Sequence, residues 1–346
     1  MTFIESSQII ESEKFSKISD TIFAEYTSIE NFEKNYKYEE VTILEKKIDK
    51  NINYIFYINN KLKIKSNTII FCQTDVVEHF FSLINNLNEL ENIILVTHQS
   101  DKKITKKLFK LKPNSISKWF STNVCYSHQD LIPIPIGVNN SYYEMHPSSE
   151  DILKAYAKLE NEKTDKVYVN FNINTKQFHR FHALRTVSKN DNFFIQKRKL
   201  KKDEYLRELS QFKYTLCPWG NGYDTHRVWE SIYLGSVPIV KFHKLYKPIK
   251  SIPSITIKSF KNLDLNNFKV NLNEIETEKI YFSYWSHLIL NEKKDSNKNN
   301  LSYLEIDWEN KTYKNKWIKK QKFQSKKKNF RNLIFRIYKK FFVFLN

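Results

Sequence analysis

Leu216-Cys-Pro-Trp-Gly-Asn-Gly-Tyr-Asp-Thr-His-Arg-Val-Trp-Glu-Ser-Ile-Tyr-Leu-Gly-Ser-Val-Pro-Ile-Val240 holds three of the four glycines in a chain of 346 residues. Average usage is about 7% glycine. A chain this poor in glycine keeps it where φ must be positive or where something comes close to the main chain. Gly220, Gly222 and Gly235 lie in this stretch, and Gly137 lies in Pro133-Ile-Pro-Ile-Gly137. One glycine site in each half suggests two half-domains facing a shared cleft.

The stretch reads as strand, turn and helix. A strand ends at Cys217, and a tight turn uses Pro218, Gly220, Asn221 and Gly222. Asp224 or Thr225 serves as N-cap, and a helix runs to Leu234 with Gly235 as its stop. A helix N-terminus after such a turn offers free N–H groups and partial positive charge to an anion. Val228, Trp229, Ile232 and Tyr233 share one arc of the helix, and Arg227 and Glu230 share the opposite side. A cation in the first turn is disfavoured by the helix dipole, and an anionic ligand beside Arg227 would explain it. Its planar fork suits a bidentate grip on phosphate. Glu230, one turn on, could accept from a pair of ribose hydroxyls. The plain alternative is an exposed i,i+3 Arg–Glu pair. The third glycine of G-x-G-x-x-G is missing, and no G-K-[ST] occurs, so neither a dinucleotide fingerprint nor a P-loop is present.

The rest of the chain frames this segment. Thr68–Cys72 and Asn92–Thr97 are apolar strand-like runs, each followed by helical sequence, the first over Val76–Leu90. Alternation of this kind predicts βαβ units and a parallel sheet. Ile132–Ile136 is extended because proline cannot sit in a central ladder. A second strand series starts at Lys166–Phe171, with helices over Phe178–Val187, Tyr205–Phe212 and Glu274–Leu290, strands at Tyr214–Cys217 and Val237–Lys241, and a polar loop at Asn291–Asn300. The first 65 residues give no clear pattern. The expected division is 1–150, 151–300 and an extension over 301–346.

Composition bounds the classes. Aromatic residues make up 15% of the chain, enough for packed cores. The formal net charge is +19, and 13 Lys or Arg with no Asp or Glu lie between Lys311 and Lys340. Without them the charge is about +6, so the basic balance belongs to the tail. Cys72, Cys125 and Cys217 form no C-x-x-C pair or metal spacing and favour a reducing compartment. The N-terminus lacks the pattern of a signal peptide, and no apolar run reaches about 18 residues.

Leu216–Val240 resembles the donor-site motif of exostosin-like glycosyltransferases, roughly C-P-x-G-x-x-x-D-T-x-R-x-W-E-A-x-x-x-G-x-I-P-V, with Ser231 where the family has Ala. Weaker echoes run from about Thr68 to Val240, in Phe71–Asp75, Leu95–Asp101 and Ile134–Gly137. The resemblance implies an α/β chain of GT-B architecture, with two Rossmann-like domains and a nucleotide-sugar in the cleft. It implies that Arg227 contacts the diphosphate and Glu230 the ribose. It also implies inversion at the anomeric carbon, no metal and no other cofactor. The expected donor is UDP-linked, held also by Gly220, Gly222, Asp224 and Thr225, and the acceptor is a glycan or lipid-linked glycan.

Further candidates follow from placement. Asn170, Asn172 and Asn174 alternate at a strand end, and loops at carboxyl ends line a ligand crevice. Arg180, on the next helix, is a second phosphate candidate or a surface arginine, and Arg185 is structural. An inverting transfer needs a base for the acceptor hydroxyl. Asp75 and Asp101 are level candidates for that base, each also a plausible helix cap; Glu78 lies nearby, and His98 is a weaker choice. In the tail, Phe330, Leu333, Ile334, Ile337, Phe341, Phe342 and Leu345 follow helical spacing. Arg331, Phe335, Arg336, Phe341 and Phe342 of this segment are the candidate membrane-contact residues. A basic amphipathic helix of this kind suits an anionic membrane surface, which places the protein at the inner face of a membrane, in the cytoplasm. The alternatives are a helix docked on the domain body, a nucleic-acid-binding tail, or an inactive sugar-binding scaffold; no nucleic-acid partner is expected from the apolar stripe.

Overall fold

The computed structural model describes residues 4–28, 32–33, 41–49, 52–59, 62–141, 146–159, 162–243, 251–261, 263–265, 268, 276–294, 300–303, 323, 326–327 and 329–339. A short helix α1 (Ser12–Lys17) precedes β1 (Thr21–Ser28), and a hairpin of β2 (Val41–Asp49) and β3 (Ile52–Asn59) follows. These three strands occupy the region without a clear sequence pattern, where long polar side chains blur the alternation. After β4 (Lys63–Lys65) come β5 (Ile69–Gln73), α2 (Val77–Ile84), β6 (Ile93–His98), α3 (Lys106–Phe109), β7 (Ile116–Ser121) and β8 (Leu131–Pro133). Helix α2 stops well before Leu90.

The first sheet runs β2-β3-β1-β5-β6-β7-β8, antiparallel from β2 through β3 to β1 and parallel from β1 to β8. Pro133 ends the edge strand, where no ladder bond is lost. The parallel strands β5 and β6 of this sheet are buried on both faces. Ile69, Phe71, Ile94 and Val96 enter one core, while Ile70, Cys72, Ile93 and Leu95 enter another with Phe80 and Phe81 of α2. That two-sided burial explains the unbroken apolar runs.

The second half starts with α4 (Ser149–Tyr156), which carries a Ser148–Asp151 capping box. Then come β9 (Thr164–Val169), α5 (Gln177–Val187), β10 (Phe193–Ile195), α6 (Lys202–Ser210), β11 (Phe212–Leu216), α7 (His226–Tyr233), β12 (Val237–Lys241), β13 (Ile255–Ile257) and α8 (Phe282–Leu290). Phe212 opens β11 rather than closing a helix, and α8 begins at Phe282; residues 274–275 lie outside the described set. β14 (Leu301–Tyr303) pairs with β4.

The second sheet is wholly parallel in the order β10-β9-β11-β12-β13. The chain thus leaves β9 in one direction and later in the other. Helix α5 packs in the core behind the sheet, and α6 and α7 pack in the core shared with the first sheet. The strand order reverses between β9 and β11, and crevices for ligands open at the carboxyl ends of such a switch point. The first sheet has no such reversal: its parallel strands follow sequence order.

One apolar core crosses between the sheets, joining Ile10, Phe15 and Ile136 to Trp229 and Tyr233. Gly137, at φ +66°, closes this seam. A Cβ there would meet the Ile10 carbonyl oxygen at 2.1 Å. Its close approach is to the chain's own backbone, not to the cleft.

Candidate functional site

The loops after β9 and β11 meet at the switch point, and Arg180 of α5 ties them together. Its Nε donates to the Trp219 carbonyl at 2.9 Å, Nη1 to the Asn172 carbonyl at 2.8 Å, and Nη2 reaches the Pro218 carbonyl at 3.5 Å. Arg180 is buried, and burial together with the nearby Arg227 cation draws its pKa down to about 9. As placed here, the guanidinium holds the turn by its carbonyls. Gly220 leaves room for it, since a Cβ would lie 3.2 Å from Nη2.

The turn is held from the first half as well. Asn123, itself at φ +53°, accepts from the Tyr223 N–H at 3.2 Å. A Cβ on Gly222 would meet its Oδ1 at 2.5 Å. Asn221 donates to Asp101 at 3.1 Å. Asp101 therefore faces the glycine turn. Asp75 is exposed in the short helical turn after β5, and its charge bears on Cys72. Glu78 pairs with Lys102 at 2.7 Å.

Asp224 is not the N-cap of α7. It is buried, accepts from the Ile136 N–H at 2.8 Å and from the Trp229 indole at 3.0 Å, and so locks the turn to the first sheet. Thr225 takes the N-cap position but makes no capping bond, and its Oγ1 is buried without a hydrogen-bond partner among the described residues. Arg227 follows two residues later. It is half-buried, has no carboxylate within ion-pair distance among the described residues, and its Nε is buried without a partner. The guanidinium lies 6.0 Å from the Tyr205 ring centre.

Glu230 is 4% exposed and accepts from the Tyr205 hydroxyl at 2.6 Å. Burial raises its pKa, while Arg227 and the Tyr205 bond pull the other way. Helix α7 ends as its sequence directs. Gly235 at φ +68° donates to Ile232, and Ser236 donates to Ser231, the paired bonds of a Schellman stop.

Several histidines are settled by their bonds. His98 Nδ1 accepts from the Gln99 N–H at 2.8 Å, so Nε2 carries the proton and donates to the Pro135 carbonyl at 3.1 Å. Both nitrogens are used, and burial lowers the pKa to about 3. His98 is a core residue, not a base. His179 stacks on Trp219 at 4.6 Å, and Tyr223 stacks on His243 at 3.8 Å. Tyr205, Asn123 and this aromatic group lie beyond the sequence reading: only the fold brings them to the turn.

Residues 172–334 match the family model of the RXYLT1 C-terminal domain. That family is related to the exostosin-like glycosyltransferases, and the match supports the resemblance over the half of the chain that carries Arg180, Arg227 and Glu230. No curated protein matches the chain.

The matched region extends into the tail. Residues 329–339 are helical, and Phe335 is buried against Phe178 and Phe181 of α5, at ring distances of 5.5 and 5.8 Å. Gln177 donates to Asn332 at 2.6 Å. Phe335 thus packs on the body of the protein and is not a membrane-contact residue, because the rings of Phe178 and Phe181 cover it, while Phe330, Leu333, Ile334 and Ile337 are exposed. Arg331 and Arg336 are exposed too; Phe341, Phe342 and Leu345 lie outside the described residues. Among the described residues, no helix is long and apolar enough to cross a membrane.

Proposed function

We propose that the protein is a glycosyltransferase that moves a sugar from a nucleoside-diphosphate donor to a hydroxyl of a glycan or lipid-linked glycan. Arg227 carries this reading: a guanidinium set in the first turn of α7 whose buried Nε, like the buried hydroxyl of Thr225 two residues before it, has no hydrogen-bond partner among the described residues. A buried polar group without a partner costs about 1–3 kcal/mol, more when charged. A diphosphate over the α7 N-terminus would satisfy both groups. As the glycosidic bond breaks, the leaving diphosphate gains charge, and Arg227 and the helix dipole are already aimed at it. Glu230 takes the ribose hydroxyls, with Tyr205 giving up or sharing its oxygen. The GT-B arrangement, a UDP donor, inversion and independence from metal are what the family resemblance implies. Arg227→Ala should abolish UDP release from UDP-sugars while the protein stays folded; undiminished release in that variant contradicts the reading.

A second reading concerns the tail helix. We infer that its outward face, Phe330, Leu333, Ile334 and Ile337 between cationic side chains, lies on an anionic bilayer. The inner face is already spent on α5, so exposed apolar area of this size remains to be covered. A nucleic acid would leave that stripe in water.

A further inference from the structure

The geometry points to His226 as the general base that takes the proton of the acceptor hydroxyl. This assignment rests on the glycosyltransferase reading above and replaces Asp75 and Asp101 in that role. His226 is the first residue of α7, one position before Arg227, and its ring spans the seam between the halves. Nδ1 lies 2.8 Å from the Gly137 carbonyl oxygen. A carbonyl only accepts, so Nδ1 carries the proton and Nε2 is left with a free lone pair. Nε2 bonds to no described residue, and the side chain is partly exposed. This is the tautomer a base requires, fixed by backbone on the acceptor side while its helix neighbour faces the donor's phosphate. His98, by contrast, has both nitrogens occupied.

The acceptor oxygen bonds to the anomeric carbon, and its proton passes to Nε2. The bond from that carbon to the diphosphate oxygen breaks, and its electron pair leaves with the nucleoside diphosphate. The imidazolium then returns its proton to water. Three charged or titratable groups bear on the ring: His146 ahead of α4, Asp101 across the seam, and Arg227 on the same helix. Burial first, then His146 and Arg227, hold the pKa down to about 4, so the ring is neutral and competent above that pH. A bound diphosphate neutralises Arg227 and lets the pKa rise. The acid limb of kcat therefore lies at higher pH than that of kcat/KM.

The test measures UDP release from a panel of UDP-sugars by the full chain, with UDP binding followed by thermal shift. His226→Asn keeps a side-chain donor for the Gly137 carbonyl but offers no base. It should lower kcat by about 10²–10⁴-fold, remove the acid limb, and leave the UDP-induced shift unchanged. Asp101→Asn should lower kcat by less than about tenfold. In the wild-type protein the acid limb should move to lower pH on warming, as an imidazole does and a carboxylate does not. A limb that does not move overturns the assignment, even if His226→Asn fails to fold. Full turnover by folded His226→Asn, with loss in Asp101→Asn, also overturns it and leaves the glycosyltransferase reading intact. UDP-sugars that neither bind nor turn over in the wild-type protein overturn both.

Discussion

Arg180 and Arg227 flank the same turn and use their donors differently. Arg180 is satisfied by three carbonyls of the chain. Arg180→Ala should strip those carbonyls and cost about 2–4 kcal/mol by the price of buried unsatisfied groups, read as a lower denaturation midpoint. Arg227→Ala should leave stability within about 1 kcal/mol and remove nucleotide binding. Sequence spacing could mark both as phosphate candidates but could not tell them apart, because two of the carbonyls that satisfy Arg180, those of Pro218 and Trp219, come from a loop nearly forty residues away. The same holds for Asp224: its place before the helix reads as a cap, yet its partners are Ile136 and Trp229. Thr225, the other cap candidate, takes the position without the capping bond.

At the scale of elements, α7 was the most legible part of the chain. Its apolar arc, its glycine stop and the turn ahead of it are all local signals, and each has a local physical cause. Gly235→Ala forces a Cβ into the left-handed region and should cost about 1–2 kcal/mol, measured by denaturant unfolding with nucleotide binding retained. The tail helix was legible in its period but not in its orientation. Seven apolar positions fit one stripe, whereas the structure also buries Phe335 on α5. Phe178 and Phe181, packed on Phe335 and Tyr338, and the Gln177–Asn332 hydrogen bond set which side turns inward. Ile334→Asp with Ile337→Asp should reduce sedimentation with phosphatidylserine vesicles by at least tenfold and leave the denaturation midpoint within a few degrees. Unchanged sedimentation would count against the outward face as a membrane surface.

At the scale of the molecule, the seam is apolar where the shared core crosses it and polar where the glycine turn meets Asn123 and Asp101 and His226 meets Gly137. The parallel strands β5, β6, β9, β11 and β12 could be read from apolar runs and turn residues, whereas β1, β7, β10 and β13 could not. The hairpin β2–β3 and the strand order could not, since register and pairing depend on partners remote in sequence. The seam also has a pH signature. His98 is neutral when folded, with a pKa near 3, while an unfolded histidine titrates near 6.5. The unfolded chain binds the extra proton between those values, so stability is full above about pH 6.5 and falls as pH drops toward 3, by up to about 1.4 kcal/mol per unit. Denaturant melts from pH 7 to 4 should show that slope reduced by about one proton in His98→Gln. Arg227 is the ligand residue on which donor binding depends. Calorimetric titration of UDP into the wild-type protein and Arg227→Ala tests this most directly. Saturable binding to the wild type, weakened at least a hundredfold in the variant, is the predicted result; equal binding to both, or none to either, would contradict it.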